Sequence, residues 1–173
     1  IVEPWRLFDC CMENDGAAAL VLVPAERARD LPHPPCYLLG AAQGAGYREG
    51  ANLYTPDYAT ACFTTLAPRL YEMAGVGPGD VDVVQSYENF TGGVVLSLIE
   101  HGFCTYEDAN EVLTFDNLVA PSGRLPLNTS GGNLSEGYLH GMQNIVEAVR
   151  QLRGIARCQV KDARYAFVSA GNA

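Results

Sequence analysis

The sequence is poor in positive charge and holds almost no lysine. Lysine and arginine together number 11 against 20 acidic residues, for a net charge of −9. No stretch gathers basic side chains, and that excludes the cationic surface required for nucleic acid or for an anionic membrane face. Apolar runs are short. None nears the roughly 20 residues that cross a bilayer. Six cysteines stand at 10, 11, 36, 62, 104 and 158 with no Cys-x-x-C and no zinc spacing, so they read as small buried hydrophobes and no metal site is expected. Signal peptide and initiator methionine are both lacking. The chain opens at Ile1 in mid-phrase, and the expectation is a piece of a longer polypeptide. Repeats, heptads and low-complexity segments are missing too.

What is present is a globular composition. Apolar residues make up 48% and charged residues 18%, and 173 residues suffice for one domain, 1–173, with a real core. Along the chain, apolar runs alternate with helical spacing. Residues 17–23 form a continuous apolar run, expected as a strand buried on both faces. A short helix is expected over 24–30 and a second strand over 36–42. Residues 43–52 form a glycine-rich loop with Tyr47, Arg48 and Glu49, read as an exposed connector or the cover of a site. A long helix from Thr55 to Ala74 should bend at Pro68 and stop at Gly75. A third strand over 81–84 leads to Ser86-Tyr87-Glu88-Asn89-Phe90, and a helix follows with Val94, Val95, Leu98 and Ile99 on its apolar side. A short helix over 106–113 and a loop over 116–127 come next. A last strand over 165–168 ends at Ser169. Strands alternating with helices predict a mixed α/β domain with helices on both faces.

The chain is organised around one stretch, Asn128-Thr129-Ser130-Gly131-Gly132-Asn133-Leu134-Ser135-Glu136-Gly137-Tyr138-Leu139-His140-Gly141. Behind it Ile145, Val149 and Leu152, with Val146 beside them, recur at helical spacing as the apolar face. Glu147, Arg150, Gln151 and Arg153 take the other side, and Gly154 stands where a cap belongs. A helix opened by glycines offers bare backbone N–H groups and a positive dipole end, which suits an anion or a developing oxyanion. Equally, a tight loop that needs glycine at positive φ would read the same way.

This stretch resembles the C-terminal signature of the thiolase superfamily, Asn-x-x-Gly-Gly-x-x-x-x-Gly-His-Pro-x-Gly. Asn128, Gly131, Gly132, Gly137 and Gly141 match it. Tyr138 occupies the family's catalytic histidine position and Leu139 its proline position, while His140 lies two residues on and leaves a shifted histidine role open. The Ser-Glu-Gly-Tyr wording resembles a subgroup labelled lipid-transfer proteins, which includes the steroid side-chain aldolases. Three further stretches agree. Asp15-Gly16-Ala17-Ala18 resembles the start of the core part of the C-terminal half. The 87–90 stretch resembles the family's Asn-Glu-Ala-Phe turn, with Tyr87 for the water-holding asparagine, Glu88 and Phe90 matching, and Asn89 for alanine. The close of the chain resembles Cys-x-Gly, with Ser169 for the proton-shuttling cysteine. The fold so implied is one βαβαβαββ half of the thiolase fold, a mixed sheet with helices on both faces. The N-terminal half, which carries the family's nucleophile, lies outside this chain.

The resemblance implies altered chemistry, because His, Asn and Cys have become Tyr138, Tyr87 and Ser169. Serine does not ionise usefully near neutral pH as a thiol can. Retro-aldol cleavage of a β-hydroxyacyl-CoA needs a base for the hydroxyl proton and donors for the departing enolate, tasks that two tyrosines can share. A tyrosine has an ordinary pKa of about 10, so the basic one needs help from neighbours or a concerted transfer. Tyr138 and Tyr87 are therefore the candidate catalytic residues, and Asn128, Gly131, Gly132, His140, Ser169 and Glu88 the candidate substrate-binding ones. The steroid side-chain aldolases cleave such an ester to a ketosteroid and propionyl-CoA beside a small OB-fold partner. Implied with them are a CoA thioester as substrate and no resident cofactor, a homodimer, and a cytoplasmic enzyme. Ordinary acyl transfer, a non-catalytic acyl-CoA or lipid carrier, and a scaffolding half remain as alternative readings.

Overall fold

The structure, a computed structural model, describes residues 3–44 and 60–170. Two strands, β1 (Val83–Ser86) and β2 (Ala166–Ser169), pair in parallel with Val83 opposite Ala166 and Ser86 opposite Ser169. β1 is central. On its other edge the Val84 N–H donates to the Pro126 carbonyl at 2.9 Å, and the Asn128 N–H donates to the Val84 carbonyl at 2.9 Å. Both parallel neighbours of β1 therefore end at the same edge, where ligands gather in α/β sheets.

Seven α-helices surround this ladder among the described residues: α1 (Ala25–Ala28), α2 (Ala67–Ala74), α3 (Thr91–Glu100), α4 (Ala109–Val112), α5 (Phe115–Leu118), α6 (Gly132–Ser135) and α7 (Met142–Leu152). Helices cover both faces, because alternate β1 side chains meet different helices. Gln85 reaches Thr129 beside α7, whereas Ser86 meets Ser169, which in turn meets Ser97 of α3. Val84, Val94, Leu98, Cys104, Leu125 and Phe167 form the apolar core on the α3 side. The mixed α/β class expected from sequence is the one observed.

Several elements differ from expectation. Residues 17–23 and 36–42 are not strands: they join no ladder, and Val21 and Leu22 are exposed. Apolar runs signal surface that must be covered, whereas a strand needs a neighbour to pair with, and no described segment supplies one. The helix expected from Thr55 begins at Ala67, and Pro68 lies in its first turn, where its missing N–H is tolerated, rather than bending its middle. Residues 45–59, including Tyr47, Arg48, Glu49 and the expected helix start, lie outside the described residues. Gly75 does stop α2, at φ +69. Cys62 precedes the 3-10 turn Phe63–Thr65, and Cys104 lies in a turn, so neither sits inside a helix, although both are buried. Residues 116–118, expected as the start of a loop, lie in the short helix α5.

Helix α7 holds the larger correction. Its fully buried residues are Gln143, Asn144, Glu147, Ala148 and Gln151, while Ile145, Val146, Val149 and Leu152 are only half-buried. Glu147 and Gln151 can point inward because they are bonded there. The Thr129 hydroxyl donates to Glu147 Oε1 at 2.7 Å, and Gln151 Nε2 donates to Thr129 Oγ1 at 2.9 Å and to the Cys158 carbonyl at 2.9 Å. Gln85 Nε2 joins the same hydroxyl at 2.9 Å. A connected network of this kind is what makes polar burial tolerable.

Candidate active site

Tyr87 follows the last residue of β1, and its N–H donates to the Ser169 carbonyl at 3.1 Å, so both strands fix its backbone. Tyr138 lies in the loop between α6 and α7, a one-turn helix and a longer one where the sequence predicted a single continuous turn into helix. The two hydroxyls, 51 positions apart in sequence, stand 2.8 Å from each other. His140 Nε2 is 3.3 Å from the Tyr138 hydroxyl, which makes a row of three side chains. Their rings lie 5.0 to 6.3 Å apart and are tilted to one another. Tyr87 is buried, Tyr138 half-buried and His140 exposed, so the row runs from interior to surface. Burial pushes the Tyr87 hydroxyl pKa well above the usual phenol range, and the hydrogen bond with Tyr138 adds to that. Tyr87 thus stays protonated, and either hydroxyl of the pair can be the donor.

Glycines make this approach feasible. Gly141 has φ +83, and a Cβ there would come within 3.2 Å of the Tyr87 ring. Gly132 has φ +57, and a Cβ there would overlap the Glu88 carboxyl. That carboxyl is 2% exposed, and the Leu134 N–H donates to its Oε1 at 3.4 Å. The glycine-opened turn therefore already has an anion in front of it, supplied by the chain itself. Burial raises the Glu88 pKa to about 6, against backbone hydrogen bonds that favour the ionised form.

Asn128 ties the signature turn to the strand. Its Oδ1 accepts the Ser86 N–H at 2.7 Å, and its Nδ2 donates to the Ser86 carbonyl at 2.9 Å. Gly131 caps α6 with φ +104, and its N–H donates to the Asn128 carbonyl at 2.8 Å. Ser169 is buried, and its hydroxyl lies 2.9 Å from those of both Ser97 and Ser86, with His101 next in the row. Its side chain belongs to this interior chain of hydroxyls and makes no hydrogen bond to Tyr87 or Tyr138.

Sequence reasoning missed Asn14, whose Oδ1 accepts the Tyr138 N–H at 2.6 Å from 124 positions away. A contact between an irregular segment and a loop leaves no periodic signal in either. Among the described residues no three His, Cys, Asp or Glu side chains gather as a metal site, and no helix is long and apolar enough to cross a membrane.

Residues 44–172 match the family described as thiolase C-terminal domain-like. A steroid side-chain-cleaving aldolase of Thermomonospora curvata is 44% identical over 99% of this chain and 44% of its own length. A 17-hydroxy-3-oxo-4-pregnene-20-carboxyl-CoA lyase of Mycobacterium tuberculosis is 40% identical over 99% of the chain and 45% of its own. A solved structure described as an Ltp2-ChsH2(DUF35) aldolase superposes with a TM-score of 0.92 at 44% identity, over 99% of this chain and 45% of that one. The chain thus spans less than half the length of each of these relatives.

Proposed function

Since the chain belongs to the thiolase C-terminal domain-like family, we propose that it is the C-terminal half of a carbon–carbon lyase that cleaves a β-hydroxyacyl-CoA carried on a steroid side chain. The observation that supports this reading is the row Tyr87–Tyr138–His140, with the two phenols 2.8 Å apart where a thiolase would hold other groups. The names of the two relatives, an aldolase and a CoA lyase, support it as well.

In this reading Tyr138 takes the β-hydroxyl proton while handing its own to His140 Nε2. The bond between the α and β carbons breaks, the β carbon becomes a ketone, and the electron pair moves to the α carbon as a thioester enolate. Tyr87, kept protonated by burial, gives its proton to the α carbon and recovers one from Tyr138, which takes its own back from His140 Nε2. Atoms balance: the hydroxyl proton of the substrate ends, by exchange, on the α carbon of propionyl-CoA. No covalent intermediate forms, so no nucleophile is needed and Ser169 can stay in the interior. The CoA thioester is the substrate, and the steps call for no resident cofactor.

The same reading assigns the N-terminal half as the other wall of the pocket, and a small OB-fold protein as partner. A homodimer and a cytoplasmic setting complete it. The test is to supply the full-length protein and its partner with a steroid β-hydroxyacyl-CoA and measure ketosteroid and propionyl-CoA. Equal release of both is the expected result, with the isolated chain inert. Robust thiolysis of acetoacetyl-CoA, or binding of acyl-CoA without turnover, would overturn the reading in favour of a thiolase or a carrier.

A further inference from the structure

The N-terminal segment touches a motif only at its end, Asp15-Gly16, yet it lies across both elements that bear the tyrosine pair. At the β1–α3 turn the Cys11 N–H donates to the Asn89 carbonyl at 3.0 Å, and the Thr91 hydroxyl donates to Asp9 Oδ1 at 3.0 Å. Cys10 bridges Phe90, and the Trp5 ring packs so closely on Gly92 that a Cβ there would overlap it. A few residues on, the segment reaches the other tyrosine. Asn14 Oδ1 accepts the Tyr138 N–H at 2.6 Å. A Cβ on Gly137 would sit 3.4 Å from Asn14 Nδ2, and Gly16 fits under the Leu139 side chain without room for a Cβ.

The loop it grips is weakly supported from within. His140 and Gly141 sit at φ +54 and +83, and the loop's own backbone bonds close only its two ends, Gly137 to Gly132 and Met142 to Leu139. The Tyr138 N–H between them finds its acceptor only in Asn14 among the described residues. We propose that Asn14 is a positioning residue for Tyr138, and that the 9–16 segment sets the separation of the two tyrosine hydroxyls. The proposal rests on the function inferred above and deepens it at the same site. Through this strap the 87–92 turn and the 137–139 loop are held by one piece of chain. Displacing it moves Tyr138 relative to Tyr87, and a shift of about 1 Å can lower turnover by a factor of about 10².

The test uses the full-length protein with its partner. Asn14→Ala deletes the acceptor, while Asn14→Asp keeps an oxygen where Oδ1 stands. The Ala variant should lose about ten- to a hundredfold in kcat with KM within about twofold. The Asp variant should recover most of kcat, and its added negative charge should shift the alkaline limb of the kcat profile to higher pH. Wild-type kcat in Asn14→Ala would overturn the proposal, as would equal losses in both variants with an unmoved profile. Amide hydrogen exchange gives a readout free of turnover: the Tyr138 amide should exchange about tenfold faster in Asn14→Ala while Val84 and Gln85 hold. A wild-type protein that cleaves no β-hydroxyacyl-CoA defeats the functional reading alone. Unchanged exchange at Tyr138 defeats the role of Asn14.

Discussion

Replacing Asn128 should loosen the joint between the strand that carries Tyr87 and the turn that leads to Tyr138. Its amide makes two hydrogen bonds to the backbone of Ser86, at 2.7 and 2.9 Å, and Ser86 is completely buried. Asn128→Ala leaves a buried N–H and a buried carbonyl without those partners, at about 1–3 kcal/mol for each group left unsatisfied. Asn128 also sits at φ +46, where a non-glycine residue without a side-chain hydrogen bond is strained by about 1–2 kcal/mol. The combined destabilisation should be about 3–5 kcal/mol after partial relaxation. Asn128→Gly loses the same hydrogen bonds but relieves the backbone, so it should be about 1 kcal/mol less damaging than Ala. Denaturant unfolding of the two variants beside wild type measures both differences. Two outcomes would refute the reasoning: an Ala variant as stable as wild type, or a Gly variant that restores wild-type stability in full.

Two further predictions follow from the buried groups around the pair. Ser169→Cys should not create thiolase activity, because position 169 faces Ser86 and Ser97 and not the tyrosines; thiolysis of acetoacetyl-CoA should stay at background. Glu88 has a folded pKa of about 6, above its ordinary value of 4.5, so its contribution is fully present below about pH 4.5 and is lost as pH rises through 6. That loss should reach about 2 kcal/mol. Glu88→Gln should flatten the stability profile between those pH values, and an unchanged slope would show that Glu88 is not its source.

Much of the architecture was legible because it rests on local pattern. The apolar stretches around β1 and β2, the helical spacing of Val94 and Leu98 in α3, and the stop at Gly75 each carry their own signal. Tyr87 and Tyr138 were legible as a pair because each stood in a motif most of whose other positions matched, with Glu88 and Phe90 around the first and Asn128, Gly131, Gly132, Gly137 and Gly141 around the second. What failed depended on distant partners. Glu147 and Gln151 read as solvent-facing, yet Thr129 and Gln85 satisfy them in the interior. The glycine turn read equally as an anion site or as a tight loop, and Glu88 from the neighbouring strand end fills the space in front of it. Residues 17–23 read as a buried strand because an apolar run records the need for cover and not what supplies it. Asn14 was invisible for the same reason: its value lies wholly in where the fold brings it.

The most direct measurement is the turnover of Tyr138→Phe in the full-length protein with its partner, on a steroid β-hydroxyacyl-CoA. The change keeps the ring against its neighbours and deletes only the hydroxyl that stands 2.8 Å from Tyr87 and 3.3 Å from His140. The account predicts a fall in kcat of about 10²–10⁴, the usual contribution of a positioned acid or base, with KM little changed. Cleavage at the wild-type rate would contradict it.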